Sequence, residues 1–128
     1  MPSNPLLLAI VELGGYPNLV PLYQAAGFRV ETLASMRKAL AWLKRECPAV
    51  VVAEFNFDPM FRDRMGNLES LLATLQRRRC GARVVVLSEK ERRAHLERAL
   101  ERYTVFRVLE LPVDARALDS AVRAAVAD

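Results

Sequence analysis

Val50-Val51-Val52-Ala53 is an unbroken apolar run, and the next residue is Glu54. A strand with one wet face alternates apolar and polar residues. A strand without alternation is buried on both faces, the condition of a parallel sheet covered by helices on each side. Open sheets of this kind carry their sites at the carboxyl ends of the strands. The stretch from Pro48 to Pro59 is therefore the centre of the chain, and Glu54 is its first candidate for function.

Four further strand-helix units surround it. Leu6 to Val11 reads as a strand ending at Glu12, with Gly14-Gly15 as the turn. Asn18 to Ala26 reads as a short helix with Leu19, Leu22, Tyr23 and Ala26 on one side, Pro17 and Pro21 restricting its start, and Gly27 past its end. Phe28 to Leu33 alternates, which suits an edge strand. Ser35 caps a helix that reaches Glu46 or Cys47, with Met36, Ala39, Leu40, Leu43 and Cys47 inward. After an irregular stretch, Asn67 opens a helix whose Leu68, Leu71, Leu72 and Leu75 are spaced i, i+3, i+4, i+7. Arg77-Arg78-Arg79 stands in its last turn and Gly81 ends it.

Arg83 to Leu87 is a second buried run. Ser88-Glu89-Lys90-Glu91 has the form of a capping box for a helix reaching about Tyr103, with Glu89/Arg93 and Arg93/Glu97 as i, i+4 pairs. Val105 to Leu111 is a fifth strand. Asp114 caps a last helix, Ala115 to Ala127, with Leu118, Ala121, Val122, Ala125 and Val126 inward. Five strand-helix units in 128 residues make one α/β domain spanning residues 1–128. The fold class expected is a flavodoxin-like (βα)5 three-layer sandwich, a parallel five-stranded sheet of order 2-1-3-4-5 with the alternating second strand at an edge.

Composition narrows the function classes. The chain is 52% hydrophobic and 27% charged, with no apolar run long enough to span a bilayer. Met1-Pro2-Ser3-Asn4-Pro5 lacks the basic flank of a signal peptide, so a cytoplasmic protein is expected. The two cysteines, Cys47 and Cys80, form no CxxC pair and accompany a single histidine. That argues against structural zinc, and leaves two small buried hydrophobes as the plainer reading, with a disulfide open on spacing. The net charge of +4 permits nucleic-acid contact without arguing for it.

In these motifs and their order the chain resembles the receiver domain of two-component response regulators. Pro48-Ala49-Val50-Val51-Val52-Ala53-Glu54 is similar to the third strand that ends in the phospho-acceptor aspartate. Leu109-Glu110-Leu111-Pro112-Val113-Asp114 is similar to the fifth-strand Lys-Pro turn. Val11-Glu12-Leu13 stands where receivers carry an acidic cluster, and Val86-Leu87-Ser88 where they carry a Thr or Ser. The resemblance implies phosphoryl transfer to an aspartate, with Mg²⁺ held by two acids and the phosphate paired with a lysine.

This chain departs at three of those positions. The acceptor is Glu54, the acid pair is reduced to Glu12, and the lysine is Leu111; Ser88 and Pro112 match. The fifth-strand aromatic is also displaced, with Val108 at its place and Phe106 two residues earlier. Leucine offers a phosphate no charged donor. The expectation is a receiver-like domain that is not phosphorylated and acts through protein contacts, with no cofactor and no metal, Glu54 being a weaker candidate as a permanent mimic of a phospho-aspartate.

Other residues carry a functional and a plainer reading. Glu12 and Glu54 could form a residual cation site or an acid/base pair, but two solvated carboxylates at the rim of a decayed site is the favoured reading. Ser88 reads as a cap before a switch hydroxyl, and Asp58 as a turn residue before a displaced acceptor. His95 reads as a surface residue. Gly14-Gly15 lacks the spacing of a nucleotide loop, and no Ser/Thr cluster follows for a flavin phosphate. Arg77, Arg78, Arg79 and Arg83 form a basic edge with no aromatic interleaved for base stacking. Phe55, Phe57, Met60 and Phe61 could form a lid or a partner surface. By resemblance, docking or a homodimer would use the fourth helix, fifth strand and fifth helix, with Arg93, Arg102, Tyr103 and Arg107 as contacts. A phospho-competent atypical receiver, a basic nucleic-acid-binding regulator and a small phosphotransferase at Glu12/Glu54 are the alternatives, and no membrane partner is expected.

Overall fold

The structure, a computed structural model, describes residues 4–55 and 67–127. Five strands, β1 (Leu6–Ile10), β2 (Arg29–Leu33), β3 (Val50–Glu54), β4 (Arg83–Glu89) and β5 (Arg107–Leu111), pair in parallel in the order β2-β1-β3-β4-β5. The helices are α1 (Val20–Ala25), α2 (Met36–Trp42), α3 (Asn67–Arg77), α4 (Arg93–Ala99) and α5 (Ala115–Ala125). This is the expected flavodoxin-like arrangement. The alternating β2 lies at one edge and the buried run of β3 at the centre.

Side-chain alternation along the central strands divides the core in two. Leu8, Ile10, Val51, Ala53, Val84 and Val86 face α2, α3 and α4. Leu7, Ala9, Val50, Val52, Val85 and Leu87 face the opposite side, where Tyr23 of α1 and Leu118, Ala121 and Val122 of α5 cover them. Every residue of β3 is buried, which is why the run could not alternate. The α3 stripe Leu68, Leu71, Leu72 and Leu75 is buried as its spacing predicts.

The helix ends differ from expectation at several points. Gly27, at φ +97°, follows α1 as predicted, and the amides of Gly27 and Phe28 close onto Gln24 and Tyr23. Ser35 caps α2 by accepting from the Lys38 amide at 3.1 Å, and Asp114 caps α5 by accepting from Arg116 at 2.9 Å. However, α2 stops at Trp42, α4 at Ala99 and α5 at Ala125, so Val126 is exposed.

Ser88 does not cap a helix. Pairing with Glu110 of β5 keeps it in β4, where it is 1% exposed and donates to the Glu89 carbonyl at 3.1 Å. A short 3-10 turn, Lys90–Arg92, then leads into α4 with no side-chain cap on either.

Nor does Gly81 terminate α3. Arg79 takes the left-handed conformation at φ 55°, while the Arg79 and Cys80 amides bond back to Gln76 and Leu75. A left-handed non-glycine residue carries a penalty of about 1–2 kcal/mol, only partly offset by the greater backbone entropy that glycine would lose there. Arg79→Gly is expected to raise stability by about 0.5–1 kcal/mol. A lower thermal midpoint in the variant would show that the Arg79 side chain contributes more than its backbone costs.

Cys80 leads to the largest correction. The two cysteines are not buried hydrophobes: Cys47 is exposed and is joined to Cys80 by a disulfide, with Cα atoms 5.7 Å apart. The bridge ties the segment entering β3 to the segment entering β4, at the pole opposite Glu54. Among the described residues no helix is long and apolar enough to cross a membrane.

Candidate functional site

β3 ends on its neighbours: Glu54 pairs in register with Leu87, and the Phe55 amide donates to the Leu87 carbonyl at 2.8 Å. This fixes the backbone, and alternation sends the Glu54 side chain toward the α1/α5 side. There it meets the loop that follows β1. Glu54 is 3% exposed, so it is not the solvated rim carboxylate expected from the sequence.

The loop supplies what a buried carboxylate needs. Glu54 Oε1 accepts from the amides of Glu12 at 3.2 Å and Leu13 at 2.7 Å. Oε2 accepts from the Gly14 amide at 3.0 Å and from the Tyr16 hydroxyl at 2.6 Å. Those bonds match the roughly four acceptor positions of a carboxylate. Gly14 has φ +66° and Gly15 φ +83°, a turn that successive L side chains resist, and it lets consecutive amides converge on one anion. Gly14-Gly15 is thus an anion cradle whose occupant is the chain's own Glu54.

The acids after β1 are redirected. The Glu12 amide serves Glu54, while the Glu12 carboxylate accepts from the Met36 amide at 3.1 Å. Together with Ser35 it satisfies amides in the first turn of α2, where negative charge is favoured. A magnesium ion, which the resemblance implies, does not fit this set. It wants carboxylate oxygens free for octahedral coordination, whereas here N–H and O–H hydrogens point at Glu54 and the neighbouring positions are Leu13 and Gly14. Among the described residues, no group of three or more His, Cys, Asp or Glu could hold a metal.

Leu111 is half-buried against the same cluster as Tyr16, Val11 and Val113, so the place of the receiver lysine is apolar. Pro112 is exposed after a cis peptide bond.

Tyr16 was not singled out by any motif. Its only sequence signal is an aromatic two residues past Gly14. Its hydroxyl holds its proton well beyond the usual tyrosine range, first through burial, then through the hydrogen bond to Glu54 and the charge there. Tyr23 is raised as well, by burial. Both folded values lie above the unfolded 10.0. Their contribution is therefore complete below about pH 10 and is lost as pH rises toward the folded values. The urea midpoint is expected to fall as pH rises above about 10, and a Tyr16→Phe/Tyr23→Phe double variant to show a shallower fall. Equal slopes would refute the assignment.

The expected partner residues are spread out. Arg93 is exposed and pairs with Glu97 at 3.4 Å. Arg102 and Tyr103 line a cavity of about 310 Å³ with Leu75, Cys80 and Val84. The Arg107 guanidinium lies 4.4 Å from the centroid of Phe106, with Arg83 at 5.2 Å, so folding brings an aromatic to the basic edge that the sequence left without one. His95 is half-buried on α4. Phe55 is buried, while Asn56, Phe57, Asp58, Met60 and Phe61 lie outside the described residues, and the lid and displaced-acceptor readings with them.

No family model matches the sequence, and no curated protein sequence matches it either. Solved structures do match. The response regulator receiver domain protein from Clostridium thermocellum has a TM-score of 0.70 at 20% identity, covering 94% of this chain and 92% of that one. The signal receiver domain of an HD domain-containing protein from Pseudomonas fluorescens Pf-5 has a TM-score of 0.72 at 16% identity, with 96% and 94% covered. The chemotaxis response regulator CheY4 of Vibrio cholerae has a TM-score of 0.69 at 16% identity, with 97% and 100% covered. Strand order, helix placement and these likenesses agree: the chain has the fold of the response-regulator receiver domain.

Proposed function

We propose that this chain is a signalling module of the receiver type whose acceptor site is closed, so that it works through protein contacts without being phosphorylated. The observation that carries the reading is the engagement of Glu54 by the Glu12, Leu13 and Gly14 amides and the Tyr16 hydroxyl. A nucleophile must offer an oxygen lone pair to the incoming phosphorus, and these are directed at donors. Apolar Leu111 removes the cation that would hold the product. Glu54 also supplies the loop with a standing negative charge, which supports one fixed conformation.

The test is incubation with acetyl phosphate and Mg²⁺ beside a receiver that carries the aspartate and the lysine. The expected result is a phosphoryl mass gain on the control and none on this chain. A hydroxylamine-sensitive gain on Glu54 or Asp58 would overturn the reading. The partner surface proposed is the face carrying α4, β5 and α5, with Arg93, Arg102, Tyr103 and Arg107 as contacts, used for a protein partner or a second copy in the cytoplasm.

A further inference from the structure

Pro17 and Pro21 delay α1, which has only 6 residues and begins at Val20. So short a helix does not cover the sheet beneath it. Between α1, its leading loop and strands β1, β2 and β3 lies a cavity of about 280 Å³. Ala9, Val11, Leu19 and Val52 form apolar walls, and among the described residues no charged one lines it. Tyr23 lines it too, and the residue is 2% exposed. Exposed Thr32, Pro17 and Asn18 stand at the rim.

We propose that this cavity is a binding site for a small, neutral, mostly apolar molecule that carries one hydrogen-bond acceptor for the Tyr23 hydroxyl. The uncharged wall sets the class, since a buried ion there would lose hydration with nothing to replace it. The volume lies just below the usual range for ligand pockets, roughly 300–1,000 Å³, which admits an aromatic ketone or ether and no peptide. The Tyr23 hydroxyl, set in an apolar wall, supplies the one directional contact. Tyr16 belongs to this wall and also donates to Glu54, so occupancy is read at the Glu54 cradle. The proposal stands whether or not Glu54 can be phosphorylated.

The experiment uses acetophenone, with ethylbenzene as the analogue lacking the acceptor, each titrated into the millimolar range against the ¹⁵N-labelled chain. Saturable shifts are expected at the Ala9, Val52 and Tyr23 amides, extending to Leu13 and Gly14. Tyr23→Phe is expected to weaken acetophenone about fivefold and leave ethylbenzene unchanged. Thr32→Trp, at the exposed rim, is expected to keep a folded spectrum and abolish both. The proposal is overturned if neither probe saturates, if acetophenone binds Tyr23→Phe as well as wild type, or if folded Thr32→Trp still binds.

Discussion

Glu54→Ala is expected to destabilise the protein by about 3 kcal/mol, a fall in thermal midpoint of roughly 10 °C for a domain of this size. The substitution deletes the acceptor of the Glu12, Leu13 and Gly14 amides and of the Tyr16 hydroxyl together. Each buried donor left unmatched costs about 1–3 kcal/mol, and bonds to a charged acceptor are the stronger ones. The sum stays below four such penalties because the loop is partly open to water, with Leu13 63% exposed. Glu54→Gln, which keeps the volume, is expected to lose about 2 kcal/mol, because an amide nitrogen replaces one acceptor and the charge is gone. Thermal unfolding of the three proteins side by side decides it. An alanine variant within about 0.5 kcal/mol of wild type, the range of ordinary surface changes, would show that the cradle does not organise the loop.

The second large effect concerns the pole opposite Glu54. The Cys47–Cys80 bridge closes a loop with a sequence separation of 33. In the loop-closure account a crosslink of that length removes enough unfolded-state entropy to stabilise the fold by about 3–4 kcal/mol. Cys47→Ser/Cys80→Ser is expected to lose that amount in urea unfolding, and treatment of the wild type with dithiothreitol to reproduce most of it. The exposure of Cys47 gives the reductant access. Intact mass shows the bridge directly as a deficit of two hydrogens. A wild type with both thiols free and the stability of the double serine variant would remove the crosslink from the account. A reducing compartment opposes such a bridge, so rapid alkylation of the protein in its own cells also tests the cytoplasmic setting.

Neither effect could be read from the chain alone, and the reasons are physical. Hydrophobic pattern placed the strands and the helices, because burying apolar surface on one face or two leaves a period in the residues. The run at β3, the alternation at β2 and the α3 leucines carried the topology that way, and Gly27, Ser35 and Asp114 announced their caps through side-chain chemistry. Leu111 likewise announced the absence of a charge. Ser88 misled because its capping signature is local, while its place in β4 comes from pairing with Glu110, 22 positions away.

What the sequence determined by itself is therefore the layered α/β fold and the inventory of side chains available at the end of β3. What only the tertiary structure decided is what those side chains touch. The donors that hold Glu54 lie 38–42 positions away and are mostly backbone amides, which every residue but proline possesses and which leave no trace in residue identity. Convergence of a carboxylate on three amides, of one cysteine on another, or of two tyrosines on one cavity depends on distances through space, and those exist only once the chain has folded.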